Sequence, residues 1–411
     1  MTINLITFTS GLDNQNSVRD SHEMILNELE KYFTVNLIDQ KNVGNLKEDD
    51  FSILFIASGG VERMVMQQFE VLPRPFIMLA DGEQNSLAAA LEISSWLRSR
   101  GMKSEILHGD FTVIADRLTL HYTNFIAQRS LTNTRIGVIG TPSPWLISSN
   151  VDYLLAKRRW GVEYVNLPLE RVYDIYDRIT EDEVGESSAL LAARALACRD
   201  ASPDDMINAM RLYRAIKQVC EEESLNVITV NCFKQLERTG ATGCLALSLL
   251  NDEGILAGCE GDLQSIFTML AVKSLTGSLG FMANPSRIDV HNNEVVLGHC
   301  SIPLSLTDQF ILRNHFETGK SIAIQGIVPI GQVTIVKCGG ESLDEYYVSS
   351  GIIVENTNYI NTCRTQLRIR LDSPVDYFLR NPLGNHHIMV PKNHEQSLHE
   401  FFAVNACKRV E

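Results

Sequence analysis

Through the first third of the chain, short apolar runs alternate with stretches whose apolar residues recur every three or four positions. That is the pattern of strands separated by helices. NLITF near the start, VNLID at 35–39, SILFIA at 52–57 and PFIMLA at 75–80 read as strands, which predicts a parallel sheet with helices on its faces. Asn85 and Ser86 open LAAALEISSWLRSRG, where helical spacing holds until Gly101 stops it, and SEILHGD at 104–110 is the next strand. A second unit of this kind starts at RIGVIGTPSPW (135–145) and continues through VEYVNLP at 162–168 and NVITVNCF at 226–233. Between these strands, Ser202, Pro203, Asp204 and Asp205 supply an N-cap, a first-position proline and first-turn acids for a helix.

After about residue 285 helical spacing nearly vanishes, while IAIQGIV, VTIVKC, YYVSSGIIVE and TQLRIRL alternate between Gly and Asn turns. The expected fold class is therefore α/β. Two doubly wound parallel-sheet domains, at 1–131 and 132–278, precede a mainly antiparallel, barrel-like β domain at 279–411.

Composition narrows the partners. The 411 residues are 45% hydrophobic and 21% charged, as in globular domains that bury their own cores. A net charge of −14 without a basic stripe argues against a nucleic-acid partner. Apolar runs fall short of the roughly 20 residues a membrane helix needs, and the start lacks the basic region of a signal peptide. No membrane partner and a cytoplasmic location are expected. Nine cysteines, all after residue 197 and without C-x-x-C spacing, read as reduced, mostly buried thiols.

Candidate chemistry gathers in three polar islands: Gly-Cys-Glu-Gly-Asp at 258–262, Gly-His-Cys-Ser at 298–301 and Gly-Asn-His-His at 384–387. Polar groups set in apolar surroundings are costly unless paired or bound to something. Glu260 stands at a strand-to-helix junction, where a carboxylate binds a cation, takes a proton, or favours the helix dipole. Asp262 fits the helix-acid role better. His299 reads as a strand-end histidine, and the adjacent His386 and His387 would face opposite ways on a strand. His315 and Glu317 read as a structural pair; Arg364 suits an anionic or hydroxylated ligand or a neighbouring carboxylate. The glycine turns at Gly59-Gly60 and Gly137–Gly140 match neither G-x-G-x-x-G nor a phosphate loop, so no dinucleotide site is expected.

With GCEGDLQSIFTML, LTGSLGFMANPSRID, EVVLGHCSIP, HFETGKS and GNHHIMV in order, residues from about 255 to 390 resemble the L-fucose isomerase and L-arabinose isomerase superfamily, particularly its shorter members. The resemblance implies a metal-dependent sugar isomerase that interconverts aldose and ketose through an enediol. It also implies a divalent cation, usually manganese, a small sugar as substrate, and a homo-oligomer, trimer or hexamer. By the same resemblance Glu260 matches the early metal ligand, His386 or its neighbour His387 the late one, and His299 resembles an additional histidine ligand of the arabinose branch. Glu260, Asn284 and His386 are thus the expected metal ligands and Glu260 and Asn284 the expected catalytic residues, with His299, His387 and Arg364 expected to contact substrate. Polar loops of the first domain, at 58–60 and 81–85, would reach a neighbouring subunit's substrate.

One position departs from the family. Where those isomerases carry a second acid, this chain reads Phe281-Met282-Ala283-Asn284, and asparagine offers an oxygen without charge or basicity. A sugar epimerase or acidic-sugar enzyme on the same scaffold, and a non-catalytic sugar-binding homologue, stand as alternatives.

Overall fold

The computed structural model describes residues 1–10 and 15–411, which form two compact units, Met1–Arg129 and Ser130–Glu411. In the first, five parallel strands, β1 (Thr2–Phe8), β2 (Thr34–Asp39), β3 (Ser52–Ile56), β4 (Phe76–Leu79) and β5 (Ser104–Leu107), lie in the order β2-β1-β3-β4-β5. Side-chain alternation along these strands builds a core on each face. Leu5, Ile53 and Phe55 meet Leu26, Leu29, Ile114 and Leu118 on one side, while Ile6, Leu54 and Ile56 meet Val65, Ala89, Ile93 and Leu97 on the other. The helix predicted after Asn85 spans Ser86–Ser99, although the Asn85 side chain makes no capping bond.

The second unit contains a parallel sheet and a barrel. Strands β6 (Arg135–Ile139), β7 (Glu163–Leu167), β9 (Val227–Val230) and β10 (Leu256–Gly258) pair in the order β10-β9-β6-β7. The run at 226–233 is shorter as a strand than its apolar character predicts. Asn231 accepts from the Lys234 amide and turns Cys232–Thr239 into a helix. The N-cap predicted at Ser202 is present and forms a capping box, Ser202 Oγ accepting from the Asp205 amide and the Asp205 carboxylate accepting from the Ser202 amide.

The last third supplies β11 (Phe281–Asp289), β12 (Glu294–His299), β15 (Gln332–Gly339), β16 (Glu345–Asn356), β17 (Thr365–Leu371) and β18 (His387–Pro391). They pair antiparallel in the order β15-β18-β11-β12-β17-β16, and β15 closes on β16, so the six strands form a closed barrel. The fold class is thus α/β with parallel sheets followed by an antiparallel barrel. IAIQGIV stays outside the barrel: β14 (Ala323–Ile327) joins β13 (Gln309–Arg313) and the short β8 (Ala197–Cys198), and β19 (Lys408–Arg409) extends the barrel edge beside β16. Between the parallel sheet and the barrel lies the helix Leu263–Thr276, whose residues from Leu263 to Val272 are all buried because it has apolar partners on every side. No described helix is long and apolar enough to cross a membrane.

In the first unit, Glu105 within β5 receives both Arg117 (2.8 and 2.7 Å) and His121 (2.9 Å). The His121 bond first, and Arg117 next, hold its carboxyl down to about 2. A carboxyl depressed in the folded state contributes stability that is present above its unfolded value and lost as pH falls through its folded value. Glu105→Gln is therefore expected to lower the thermal midpoint at pH 6, with the difference from the parent chain shrinking as pH is taken down toward 3.

Candidate metal centre

The carboxyl ends of the parallel strands position one half of the site, as is general for open parallel sheets. After β10 the chain turns through Glu260 (φ 62°) and Gly261 (φ 71°) before Asp262 caps the helix Leu263–Thr276. Two successive left-handed residues make this turn tight. A Cβ on Gly261 would lie 2.8 Å from the Pro142 Cα, and a left-handed glutamate is held only where neighbours over-determine it. The neighbours here are Ser143, whose amide donates to the Glu260 carbonyl at 2.9 Å, and the Val230 carbonyl, which accepts from the Gly261 amide at 3.0 Å.

The barrel supplies the other half. His299 ends β12 and His386 immediately precedes β18. Glu260 Oε1 stands 3.5 Å from His386 Nε2 and 3.8 Å from His299 Nε2, and donor atoms of the three residues all lie within 4.8 Å of one another. All three residues are buried. Donors sharing one ion at roughly 2.1 Å are separated by about 3 to 3.5 Å, so the spacing fits a cation with slight contraction. Two imidazoles and a carboxylate also suit a divalent ion of borderline hardness. The His386 Nε2 and the Asn284 Oδ1 are buried and have no hydrogen-bond partner among the described residues, which is what donors kept for an ion look like. Asn284 lies opposite Gly298 in β11–β12 pairing, one residue from His299.

Behind His386 sits a fully buried charged group. Asp262 Oδ2 contacts His386 Nδ1 at 2.9 Å, accepts from Ser265 Oγ at 2.9 Å and stands 3.7 Å from Lys337 Nζ, while Oδ1 accepts from the Ser265 amide at 2.8 Å. Lys337 Nζ in turn donates to Ser265 Oγ at 2.8 Å. Burial opposes ionisation of Asp262, but Lys337 and then His386 outweigh it and hold the carboxyl well below the usual range. Burial likewise opposes charge on Glu260, and the two imidazoles overrule it. Burial would lower His386 too, yet Asp262 and Glu260 push it up to about 9. Nδ1 is thus committed to Asp262, which aims Nε2 at Glu260.

Among the residues singled out by sequence, Glu260, His299 and His386 meet, while Asn284 is placed only by its pairing with Gly298, the residue before His299. His387 does not join them. Its Nε2 meets the Tyr377 hydroxyl at 3.0 Å inside a box with Tyr347 and Phe378, and burial brings it down to about 3. Arg364 spends its guanidinium on Asn314, through the carbonyl at 2.8 Å and Oδ1 at 2.5 Å. His315 contacts Thr318 (3.3 Å) and Phe233 rather than Glu317. Three contributors carry no motif of their own: Lys337, Asp262 as the support of His386, and Trp145, whose Nε1 donates to Glu260 Oε2 at 2.6 Å.

Part of the chain is similar to proteins named sulfoquinovose isomerase. That of Priestia aryabhattai is 23% identical over 221 residues, covering 53% of this chain and 49% of its own length. That of Alkalicoccus urumqiensis is 26% identical over 231 residues, with the same shares of 53% and 49%. A third, from Clostridium sp. (strain MSTE9), is 27% identical over 92 residues, 22% of this chain and 21% of its own. The chain spans about half the length of the first two of these curated relatives. No protein-family model matches the sequence.

Lys337 and Asp262 share one buried environment, so removing one partner leaves the other charge uncompensated. Lys337→Met is expected to cost about 3 kcal/mol in urea unfolding. Combined with Asp262→Asn, the loss should fall short of the sum of the two single changes.

Proposed function

We propose that the chain is a metal-dependent sugar isomerase that interconverts an aldose and a ketose through an enediol. The observation that carries this reading is the convergence of Glu260, His299 and His386 from two layers of one unit, with the buried His386 Nε2 facing Glu260 but without a hydrogen-bond partner among the described residues. The relatives named sulfoquinovose isomerase support the reaction class and make sulfoquinovose the first substrate to try.

In this reading Glu260, His299 and His386 hold a divalent cation, for which manganese is our assignment, and Asn284 Oδ1 serves as a neutral ligand or orients a substrate hydroxyl. An ion held by these residues would supply Lewis-acid polarisation of a carbonyl and stabilisation of the negative charge that develops on its oxygen. The protein's own groups do the rest. Asp262 keeps the His386 ring in the orientation that presents Nε2. Glu260 stays ionised, with Oε1 turned to the histidines and Oε2 to the Trp145 N–H. Oε2 is the atom we assign to proton transfer between adjacent carbons, because it faces away from the metal ligands. The seat of the family's second acid is asparagine here, so Glu260 carries that proton without a carboxylate partner. By the resemblance, the working form is a homo-oligomer.

Metal analysis of the manganese-loaded chain is expected to return one ion per chain, and His386→Ala to lower occupancy without unfolding the protein. Turnover of sulfoquinovose in heavy water should place solvent deuterium beside the carbonyl. Glu260→Gln should reduce turnover at least about a hundredfold in protein that stays folded. Undiminished turnover in Glu260→Gln removes that carboxylate from the mechanism. A chain that binds manganese and sugar but converts none of a sugar panel is the binding homologue that Asn284 favours.

A further inference from the structure

Trp145 is 51% exposed, yet its indole is engaged through both its N–H and its ring. Its loop follows β6 and is tied at several points. Asn231 Nδ2 donates to the Thr141 carbonyl at 2.7 Å, the Ser143 amide donates to the Glu260 carbonyl at 2.9 Å, and Gln264 Nε2 donates to the Ser148 carbonyl at 3.0 Å. The indole meets Phe233 edge to face, with centroids 5.2 Å apart and planes at 87°, and Phe233 meets His315 in the same way at 5.6 Å and 81°. The indole N–H ends on Glu260 Oε2 at 2.6 Å. Leaving half an indole in water forgoes a large apolar burial, and the anchors fix that surface beside the three converging donors.

We infer that Trp145, backed by Phe233 and His315, is the wall on which a hydroxylated, sugar-class ligand lies with its C–H face on the indole and its oxygens toward Glu260. A sugar has an apolar C–H face and a polar hydroxyl edge, and the wall and the donor cluster present the matching pair of surfaces. The electron-rich indole face attracts polarised C–H groups, while its N–H fixes which carboxylate oxygen is offered. Trp145 is therefore both a specificity-determining and a positioning residue. The inference rests on the sugar reading given above, and its test separates the two.

Acrylamide quenching of tryptophan emission reads the wall without any turnover. Of the three tryptophans, Trp160 is fully buried and Trp96 is half-buried beneath the Arg100 guanidinium, so the accessible emission belongs mainly to Trp145 and is lost in Trp145→Phe. With the manganese-loaded chain, sulfoquinovose or glucitol is expected to shield that emission. Absence of shielding by both overturns the wall, whether or not any sugar is isomerised. Emission already closed to acrylamide in the ligand-free protein shows that a second copy of the chain covers Trp145, and also overturns it. Shielding without conversion of any sugar leaves the wall standing and defeats the isomerase reading. With an isomerised substrate in hand, Trp145→Phe should keep KM within about twofold and lower kcat about tenfold, because it retains the aromatic face and loses the N–H. Trp145→Leu should raise KM about tenfold as well. An unchanged KM in Trp145→Leu, at an unchanged unfolding midpoint, refutes the wall while the isomerase reading stands.

Discussion

The carboxylate of Asp262 has no exposure to solvent, in surroundings where an isolated charge would cost several kcal/mol, and its compensation comes from three separate parts of the chain. Ser265 answers it from the first turn of its own helix, Lys337 from β15, and His386 from the segment that leads into β18. Satisfying that one anion therefore draws the barrel onto the parallel-sheet layer at a fixed register. It also sets the geometry two residues upstream, because the left-handed turn that delivers Asp262 to the helix delivers Glu260 to the histidines. Stability and ligand geometry share the same few atoms here, and a substitution in this group is felt in both.

Much of the frame is written in local patterns. Strands of the first unit alternate apolar residues to two covered faces, and their number and parallel pairing follow from that rhythm. Capping residues such as Ser202 with Asp205 mark a helix start that the structure keeps. The polar islands at 258–262, 298–301 and 384–387 hold the three residues that meet, because a buried carboxylate and two buried imidazoles leave a visible break in apolar texture. Even the strand at 226–233 errs only in length, where Asn231 exchanges its place in a strand for a helix cap.

What stays hidden is pairing over distance. Lys337 sits in a strand whose neighbours are apolar, and nothing local reveals that its ammonium crosses to a helix N-terminus rather than to water. The choice between His386 and His387 depends on which ring meets Asp262 and which meets Tyr377, and adjacent positions in one sequence look alike until those partners are placed. Arg364 is a further case. Its charge invites a ligand, and the structure adds a partner no local pattern shows, Asn314, which accepts from Nε and Nη2. The role of Trp145 depends on a loop pinned from three other segments, which no spacing rule within the loop encodes.

Closure of the six-strand barrel bears on any ion the cluster would hold. The imidazoles come from strand ends on either side of β11 and are brought together by the pairing of those strands. In small zinc modules the ion drives folding; in this architecture it would enter a cavity already shaped by packing. Exchange of one divalent ion for another should thus leave the scaffold unaltered, and selectivity among them falls to the stiffness of the donor spacing.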